Sequence, residues 1–258
     1  MISVDAISFH YPDGGPVLDR VSFEISAGEK VVLLGVNGSG KTTLLRTLDG
    51  LLFPQRGRYT FQGKEVNAAA LRDRRFSRGF RQSVVLLFQN PDTMIFNPTV
   101  YDEIAFGLRQ AGVDDVDGRV RHWAKVFGLV PQLDQMPFQL SGGEKQKVCL
   151  AALLALEPSV LLLDEPIANL DPMSTGWLVD FIQDLELTAI MTLHSLGLAA
   201  ELGTRALVLS HEHRLIYDGD LAEFLADQDR LIEARLVHTH RHTHGELVHQ
   251  HYHTHDWE

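Results

Sequence analysis

The stretch that decides the fold is GVNGSGKT, Gly35–Thr42, which stands between the apolar run VVLL and the helix-forming run TTLLRTL. Backbone N–H groups of such a turn converge on phosphate oxygens, and the helix that follows adds the positive end of its dipole. Lys41 is placed to reach β- and γ-phosphates, and the Thr42 hydroxyl is a ligand for Mg²⁺. The stretch therefore predicts a nucleotide-phosphate loop, with the binding residues Asn37, Gly38, Ser39, Gly40, Lys41, Thr42 and Thr43.

Two carboxylates end a second apolar run, LLLDEP, Leu161–Pro166. The end of a buried strand is where a doubly wound sheet binds ligands, and Asp164 there is suited to hold Mg²⁺. Glu165 points in another direction from its neighbour and is suited to act as the general base for an attacking water. The alternative is a pair of exposed acids that begins a loop. The phosphate loop earlier in the chain favours the catalytic interpretation.

A third motif, LSGGE, begins a long apolar helix that runs to Leu156. Ser141 and Glu144 have the spacing of a capping box, in which each side chain bonds to the other residue's backbone N–H. Gly142 and Gly143 keep side chains away from the helix N-terminus, which leaves room for an anion. A chain that already binds triphosphate in one loop has no local use for a second anion site, but the γ-phosphate of another subunit would supply one.

The remaining pattern indicates an α/β protein with two kinds of strand. Continuous runs of valine and leucine around Val31, Val84 and Val160 predict a parallel sheet that is buried on both faces. The first residues, ISVDAISFHY, alternate and predict an antiparallel layer. Between Pro98 and Leu156, the helical spacing of apolar residues predicts an inserted helical subdomain.

Composition narrows the class of protein. The chain has 258 residues, 45% of them hydrophobic, and a formal net charge of -11, which argues against broad binding to nucleic acid or anionic lipid. We find no signal peptide or membrane-spanning run, and Cys149 is the only cysteine, as suits a reducing cytoplasm. One basic cluster is interpreted as a solvated face rather than a nucleic-acid or partner patch, and it contains Arg72, Arg74, Arg75, Arg78 and Arg81.

Taken together, these motifs resemble the ATP-binding subunit of an ABC transporter over about residues 1–225. The resemblance implies the P-loop NTPase fold of ABC ATPases, with a parallel core sheet, an antiparallel β layer and a helical subdomain inserted at about 90–157. It leaves residues 226–258 as a C-terminal His-rich tail. The resemblance also implies ATP and Mg²⁺ as ligands and ATP hydrolysis coupled to transmembrane transport.

The resemblance assigns roles to further residues. Tyr11 in FHYPDG is expected to stack on adenine, and Gln89 in LFQNP to link Mg²⁺ to the helical subdomain. Ser141–Gly143 is expected to cap ATP that the opposite subunit holds. Asn169–Asp171 occupies the D-loop position, and His194 that of the switch histidine that contacts the γ-phosphate.

Two departures from the family pattern are visible. Ser195 stands where many members carry aspartate, and Ile167–Asn169 differ from the commoner small residues. Neither change removes a phosphate, metal or water ligand, so intact ATPase chemistry is expected. Judged without their neighbours, Tyr11, Gln89 and His194 would also fit a turn aromatic, a strand cap and a strand-end histidine, respectively, although the family roles are favoured.

The stretch LFQNPDTMIFNPTVYDEIAFGL resembles the same region of energy-coupling-factor ATPases, where it faces the membrane partner. That resemblance implies transmembrane coupling and substrate-binding subunits, an ATPase homodimer or a heterodimer with a paralogue, and a peripheral place on the cytoplasmic face of the membrane. Such importers carry vitamins or the metals cobalt and nickel. Within the stretch, Tyr101 is predicted to be a core residue, and Phe96 either a core or a coupling residue.

The His-rich tail favours cobalt and nickel over vitamins as the transported substrate. Neutral imidazole suits Ni²⁺, Co²⁺, Zn²⁺ and Cu²⁺, and alternate residues of an extended chain share one face. The alternatives are a low-complexity segment without a metal role, a vitamin importer, a non-transport ABC ATPase, and a metal-binding regulator or storage protein with an ATPase fold. The alternating histidines form two rows, His238, His240, His242 and His244, then His249, His251, His253 and His255.

Overall fold

The computed structural model describes residues 1–168, 170–244 and 247–254, and from residue 238 onward it describes the backbone alone. The chain divides into two compact units, Met1–Val66 with Ile190–Glu258, and Asn67–Ala189. The strands are β1 Ile2–His10, β2 Pro16–Ile25, β3 Lys30–Leu34, β4 Arg56–Phe61, β5 Lys64–Glu65, β6 Val84–Leu87, β7 Val160–Asp164, β8 Thr188–Thr192, β9 Arg205–Leu209, β10 Leu215–Asp220, β11 Val237–His244 and β12 Leu247–Thr254. The α-helices are α1 Lys41–Leu48, α2 Arg74–Ser83, α3 Val100–Ala111, α4 Val116–Val126, α5 Gly142–Leu154, α6 Pro172–Asp184, α7 Leu196–Leu202, α8 Leu221–Ala226 and α9 Gln228–Glu233.

An antiparallel sheet with the strand order β2-β1-β4-β5 forms one layer of the first unit. Ile2 pairs with Ile25 in β2 and with Phe61 in β4, and Val4 pairs with Phe23 in the same register. These apolar residues are all buried. The alternation in the sequence therefore predicted this layer correctly, because one face of an antiparallel sheet packs on the core while the other meets water.

The parallel strand pair of the first unit carries the phosphate loop at its end. β3 pairs in parallel with β9, with Val31 opposite Arg205 and Leu34 opposite Val208. Its residues from Val31 onward are fully buried, and β10 covers the other edge of β9 in antiparallel orientation. Because both faces of such a strand are buried, its side chains are apolar at successive positions, which explains the continuous apolar run.

The second unit combines a parallel strand pair with the predicted helical subdomain. β6 pairs in parallel with β7, and α3 packs against both α4 and α5. α3 begins after the N-cap Thr99 and ends at Gly112, whose φ of 68° is the left-handed conformation that glycine adopts at helix ends. α4 begins after the N-cap Asp115, whose side chain accepts a hydrogen bond from the Gly118 backbone N–H.

The predicted fold is confirmed as the α/β P-loop architecture, with parallel strands, an antiparallel layer and helices. The predicted domain boundaries stay predictions. In the described ranges, none of the helices is both long and apolar enough to cross a bilayer.

Candidate functional site

The phosphate loop takes a backbone path that only glycine permits at two points. Gly35 has a φ of 148°, and a Cβ atom there would lie 2.6 Å from the Leu209 carbonyl oxygen. Gly40 has a φ of 108°, and a Cβ atom there would collide with the Val17 carbonyl oxygen. A Cβ atom at either position would force backbone atoms apart, so these glycines fix the loop between β3 and α1.

The loop presents polar groups toward its own concave side. The Lys41 ammonium is buried and donates hydrogen bonds to the carbonyl oxygens of Gly35 at 2.7 Å and Val36 at 3.3 Å. Ser39 Oγ is buried and has no hydrogen-bond partner among the described residues. α1 follows Gly40, which has no side chain to cap the N–H groups of the first helical turn.

The side chain of Tyr11 flanks this loop in the first unit. The Tyr11 hydroxyl lies 3.3 Å from Thr43 Oγ1, and its ring, 38% exposed, meets the edge of Phe9 at a centroid distance of 5.0 Å. The Tyr11 side chain is thus held by Thr43 and Phe9, and part of it remains exposed to solvent. Its expected stacking on adenine stays a prediction.

His213 is a loop contact that the sequence did not indicate. It lies in the turn before β10, with a left-handed φ of 66°. Its Nδ1 lies 3.3 Å from the Ser39 carbonyl oxygen and donates to it when that nitrogen carries the proton. Its place before a predicted strand indicates only a turn residue, and the 174 positions between His213 and Ser39 leave no local signal for the contact.

His194 lies between β8 and α7 with its side chain exposed. The following Ser195 caps α7 by accepting a hydrogen bond from the Leu198 backbone N–H at 3.4 Å. Serine and aspartate are both strong N-cap residues, so the departure at Ser195 keeps the local function of the commoner aspartate.

In the second unit, the structure brings together Gln89 and Glu165. β7 is fully buried and ends at Asp164, which is only 4% exposed. Glu165 then has a φ of 48°, an uncommon left-handed conformation for a residue other than glycine. Gln89 Nε2 donates a hydrogen bond of 2.6 Å to Glu165 Oε2. A metal-linking residue and a general base, predicted separately, are therefore direct partners.

The LSGGE motif forms the predicted capping box. Glu144 accepts hydrogen bonds from the Ser141 backbone N–H at 2.9 Å and hydroxyl at 2.8 Å, while Ser141 Oγ accepts from the Glu144 backbone N–H at 3.3 Å. The bond from the Ser141 backbone lowers the pKa of the Glu144 carboxyl. Gly142 has open space at its Cβ position, and a Cβ atom at Gly143 would lie 3.0 Å from Ser174 Oγ. The helix start is therefore ordered and accessible.

Asp171 is the N-cap of α6, accepting hydrogen bonds from the backbone N–H groups of Met173 and Ser174 at 3.0 Å each. The Ser174 hydroxyl, which also donates to it at 2.6 Å, is the main cause of the lowered pKa of Asp171. Asn169, the first residue of the predicted D-loop, lies outside the described residues.

A pocket of about 330 Å³ within the second unit joins the three family motifs. Gln89 and Gly142 line it, together with Leu170 of the predicted D-loop and Ala168 just before that loop. The other lining residues are Asn90, Pro91, Asp92, Lys145 and Gln146.

Three pocket residues were missed by the sequence analysis. Lys145, three residues beyond Gly142, forms an ion pair with Asp92 at 2.7 Å, and Gln146 is buried and donates to the Pro166 carbonyl oxygen. These contacts fix the start of α5 to the segments after Gln89 and Glu165. The polar run Glu144–Lys147 at the start of an otherwise apolar helix was the available signal.

The loop that follows Gln89 is held by one buried carboxylate. Glu103 accepts hydrogen bonds from the backbone N–H groups of Phe96 at 3.0 Å and Asn97 at 2.8 Å. Phe96 is 64% exposed and packs against Phe106 alone among the described aromatic rings, at a centroid distance of 4.8 Å. Tyr101, predicted to be a core residue, is only half-buried, because its hydroxyl reaches Asp117 at 3.2 Å.

Known proteins are similar to this chain along most of its length. The family model described as ABC transporter matches residues 18–168. A Methanosarcina acetivorans protein named as an ABC transporter ATP-binding protein is 42% identical over 247 residues, which cover 93% of this chain and 90% of that protein. The chain belongs to the ABC transporter family. A further ATP-binding relative, from Clostridium acetobutylicum, is 37% identical over 92% of this chain and all of its own length.

Among solved structures, this ABC ATPase is similar to cbiO1 from Clostridium perfringens, which is part of the ABC transporter complex cbiONQ. The two chains are 30% identical with a TM-score of 0.76, and the match covers 90% of this chain and 92% of the other. The ABC ATPase is thus an ATP-binding and ATP-hydrolysing subunit of a transporter.

The residues of the phosphate loop fit the ATP and Mg²⁺ that an ABC ATPase binds. Ser39 Oγ is a buried polar group that lacks a hydrogen-bond partner in the described structure. Lys41, two residues further along the chain, is a buried cation. An uncapped helix start adds N–H donors for an anion. A phosphate oxygen would supply the acceptor that the Ser39 hydroxyl lacks in the described structure.

The described side chains do not include the predicted tail ligands. For His238, His240, His242, His244, His249, His251 and His253 the backbone alone is described, and His255 lies outside the described residues.

Proposed function

We propose that this ABC ATPase energises an energy-coupling-factor importer for Co²⁺ or Ni²⁺. The observation that carries the proposal is the presence of two rows of alternating histidines, His238–His244 and His249–His255, on the same chain as the ATPase. Nitrogen ligands of this kind suit late first-row metals. The likeness to cbiO1, part of the cbiONQ complex, and the family-specific stretch after Gln89 support the same assignment.

In the proposed reaction, Lys41 would bind the β- and γ-phosphates, and the Thr42 hydroxyl would be a ligand for Mg²⁺. Asp164 is the Mg²⁺ ligand proposed in the second unit. Glu165 orients a water molecule and accepts its proton as the water oxygen bonds to the γ-phosphorus. The bond from that phosphorus to the bridging oxygen breaks, and ADP leaves with the electron pair. Mg²⁺ supplies charge neutralisation when bound. His194 would donate to a γ-phosphate oxygen.

The Gln89–Glu165 hydrogen bond supports a regulated form of this reaction. Gln89 occupies one oxygen of the proposed base, and its own loop is anchored through Asn97 to Glu103 and through Asp92 to Lys145. A displacement of that loop by a membrane partner would change how Glu165 is held. Such a displacement would couple transport to hydrolysis.

A second ATPase subunit completes the site in this proposal. The accessible start of α5 offers an anion site at Ser141–Gly143, and the partner, a second copy or a paralogue, would supply the ATP that it caps. Two ATP molecules would then lie between two subunits, and hydrolysis would separate them.

Membrane subunits would dock on the second unit, which places the ABC ATPase peripherally on the cytoplasmic face of the membrane. A pocket of about 690 Å³ there has an apolar floor that includes Leu71, Ala111 and Leu156. Arg74, Arg75, Arg78 and Arg81 also line it; all four are exposed, and within the described part of the chain none of them forms an ion pair. The basic cluster, interpreted from the sequence as a solvated face, thus lines a pocket that suits an amphipathic segment with acidic residues.

The test is ATP-dependent uptake into vesicles that contain the complex recovered with this subunit from its native membrane. The expected result is uptake of Ni²⁺ or Co²⁺ that is lost with Glu165→Gln, with Zn²⁺ and a panel of vitamins as competing substrates. Uptake of a vitamin without metal transport would instead identify a vitamin importer. ATP hydrolysis without any uptake would indicate a role outside transport.

A further inference from the structure

The histidine rows meet in an ordered register. β11 and β12 form a two-stranded antiparallel sheet in which His238 is opposite His253, His240 opposite His251, and His242 opposite His249. The intervening positions pair other residues with one another, namely Thr239 with Tyr252, Arg241 with Gln250, and Thr243 with Val248. Every second position of this ladder is therefore a histidine pair for three pairs in succession.

This register places the six paired histidines on one face of the hairpin, because residues two apart along a strand share a face. A slip of one residue would place each histidine opposite a residue of another type. The two strands are joined by just Gly245 and Glu246 in the sequence, and a two-residue connection is the commonest in hairpins. Connection length and histidine spacing are therefore consistent with the same pairing.

The chemistry of the pairs determines what they would bind. Directly opposed residues of antiparallel strands lie about 4.5–5.5 Å apart, so the register brings histidines of the two strands together in pairs. Adjacent pairs are about 7 Å apart along the strands, so two neighbouring pairs place four histidines close to one another on one face. A set of nitrogen ligands without carboxylates selects Ni²⁺, Co²⁺, Cu²⁺ or Zn²⁺ over Mg²⁺ and Ca²⁺.

We propose that the β11–β12 hairpin binds a late first-row divalent metal, because its register places three histidine pairs in succession on one face. Two neighbouring pairs are the proposed unit of binding. Metal binding and strand pairing then stabilise each other, since the ion joins residues that are close only when the hairpin is formed. The site deepens the proposed importer function, but its test is a binding measurement without transport, so either proposal can fail alone.

Two triple variants separate this site from unstructured binding by a histidine-rich segment. The first removes one strand's contribution to every pair, and the second keeps two complete neighbouring pairs. Each leaves five of the eight alternating histidines. The first variant is His238→Ala/His240→Ala/His242→Ala, and the second is His238→Ala/His244→Ala/His253→Ala.

The measurement is calorimetric titration of the untagged full chain with Ni²⁺, repeated with Co²⁺, at neutral pH. The wild type and the second variant are expected to bind with similar affinity, whereas the first variant should bind at least about tenfold more weakly because it retains no pair. Hydrogen exchange of the β11 and β12 amides should slow on adding metal in the wild type and in the second variant, but not in the first variant. Retained ATP hydrolysis would verify that the ATPase is folded in both variants.

Equal weakening of the two variants, or tight binding by the first, would overturn the cross-strand site, because a segment that binds without pairing depends on the number of histidines rather than on their register. A wild-type chain that binds neither ion would overturn it as well.

Discussion

The side-chain amide of Gln89 donates a 2.6 Å hydrogen bond to the carboxylate of Glu165. The two residues stand 76 positions apart in the sequence, one after β6 and the other after β7, two strands that pair in parallel. Parallel strands end at the same edge of a sheet, which explains why residues just beyond both ends can meet. The bond connects the proposed base of hydrolysis to the loop that the proposed partner would move.

Glu165→Gln should nearly abolish ATP hydrolysis while leaving ATP binding intact. The amide keeps the size of the side chain and can still accept the Gln89 hydrogen bond, but it cannot take a proton from water. Loss of a general base lowers the hydrolysis rate by about 10²–10⁴-fold. Phosphate release and equilibrium ATP binding measure the two effects. A rate within a few-fold of wild type would remove Glu165 from the role of base.

Gln89→Ala should separate basal hydrolysis from its control by the membrane partner. The substitution removes the hydrogen bond to Glu165 but retains the carboxylate, so the isolated subunit should keep measurable activity. In the assembled complex, hydrolysis should respond less to substrate than it does in the wild type. Gln89→Glu is the matched variant, since it places two carboxylates together and should impair both activities. Unchanged coupling in Gln89→Ala would argue against a role for this bond.

Substitutions at Ser141 should distinguish helix capping from anion binding. Ser141→Ala removes the cap of α5 and should lower the free energy of unfolding by about 1 kcal/mol. Ser141→Asp keeps a good cap, so stability should be close to wild type, but its charge opposes a phosphate at the helix start. Hydrolysis should therefore fall in both variants and stability in only one. Chemical denaturation and phosphate release provide the two measurements, and full activity in Ser141→Asp would exclude an anion at this position.

Acid should weaken the capping box through Glu144. The hydrogen bond from the Ser141 backbone lowers the pKa of Glu144 in the folded chain below its unfolded value. Its stabilisation is therefore present above the unfolded pKa and is lost as the pH falls through the folded pKa. Glu144→Gln, which does not titrate, should be less stable by about 0.5 kcal/mol at neutral pH, and the gap should close below about pH 4. Urea unfolding of both chains across this range tests the sign, and a gap that widens in acid would contradict it.

Local features of this site could be read from the sequence because they depend on residues close together in the chain. The glycines of Gly35–Thr42, the capping box at Ser141 and the helix end at Gly112 each have a structural requirement that a few neighbouring residues satisfy. Their spacing is therefore sufficient to predict them.

The contacts that join these local features were not predictable in the same way. His213 reaches Ser39 across 174 positions, and Lys145 reaches Asp92 across 53 positions. Such pairs depend on how strands and helices pack, and the residues themselves have no special spacing. The left-handed backbone of Glu165 was equally hidden, since glutamate does not indicate a positive φ.

The arginine-lined pocket gives a last prediction about the membrane partner. Arg78 and Arg72 belong to the same basic cluster and both are exposed, but only Arg78 lines the pocket. Arg78→Glu should weaken recovery of the membrane subunits by about tenfold or more, because charge reversal places like charges at the docking surface. Arg72→Glu makes the same change in net charge outside the pocket and should have little effect. Copurification from native membranes, with basal ATPase activity as the folding control, compares the two variants, and an equal loss would indicate a general charge effect instead of docking at this pocket.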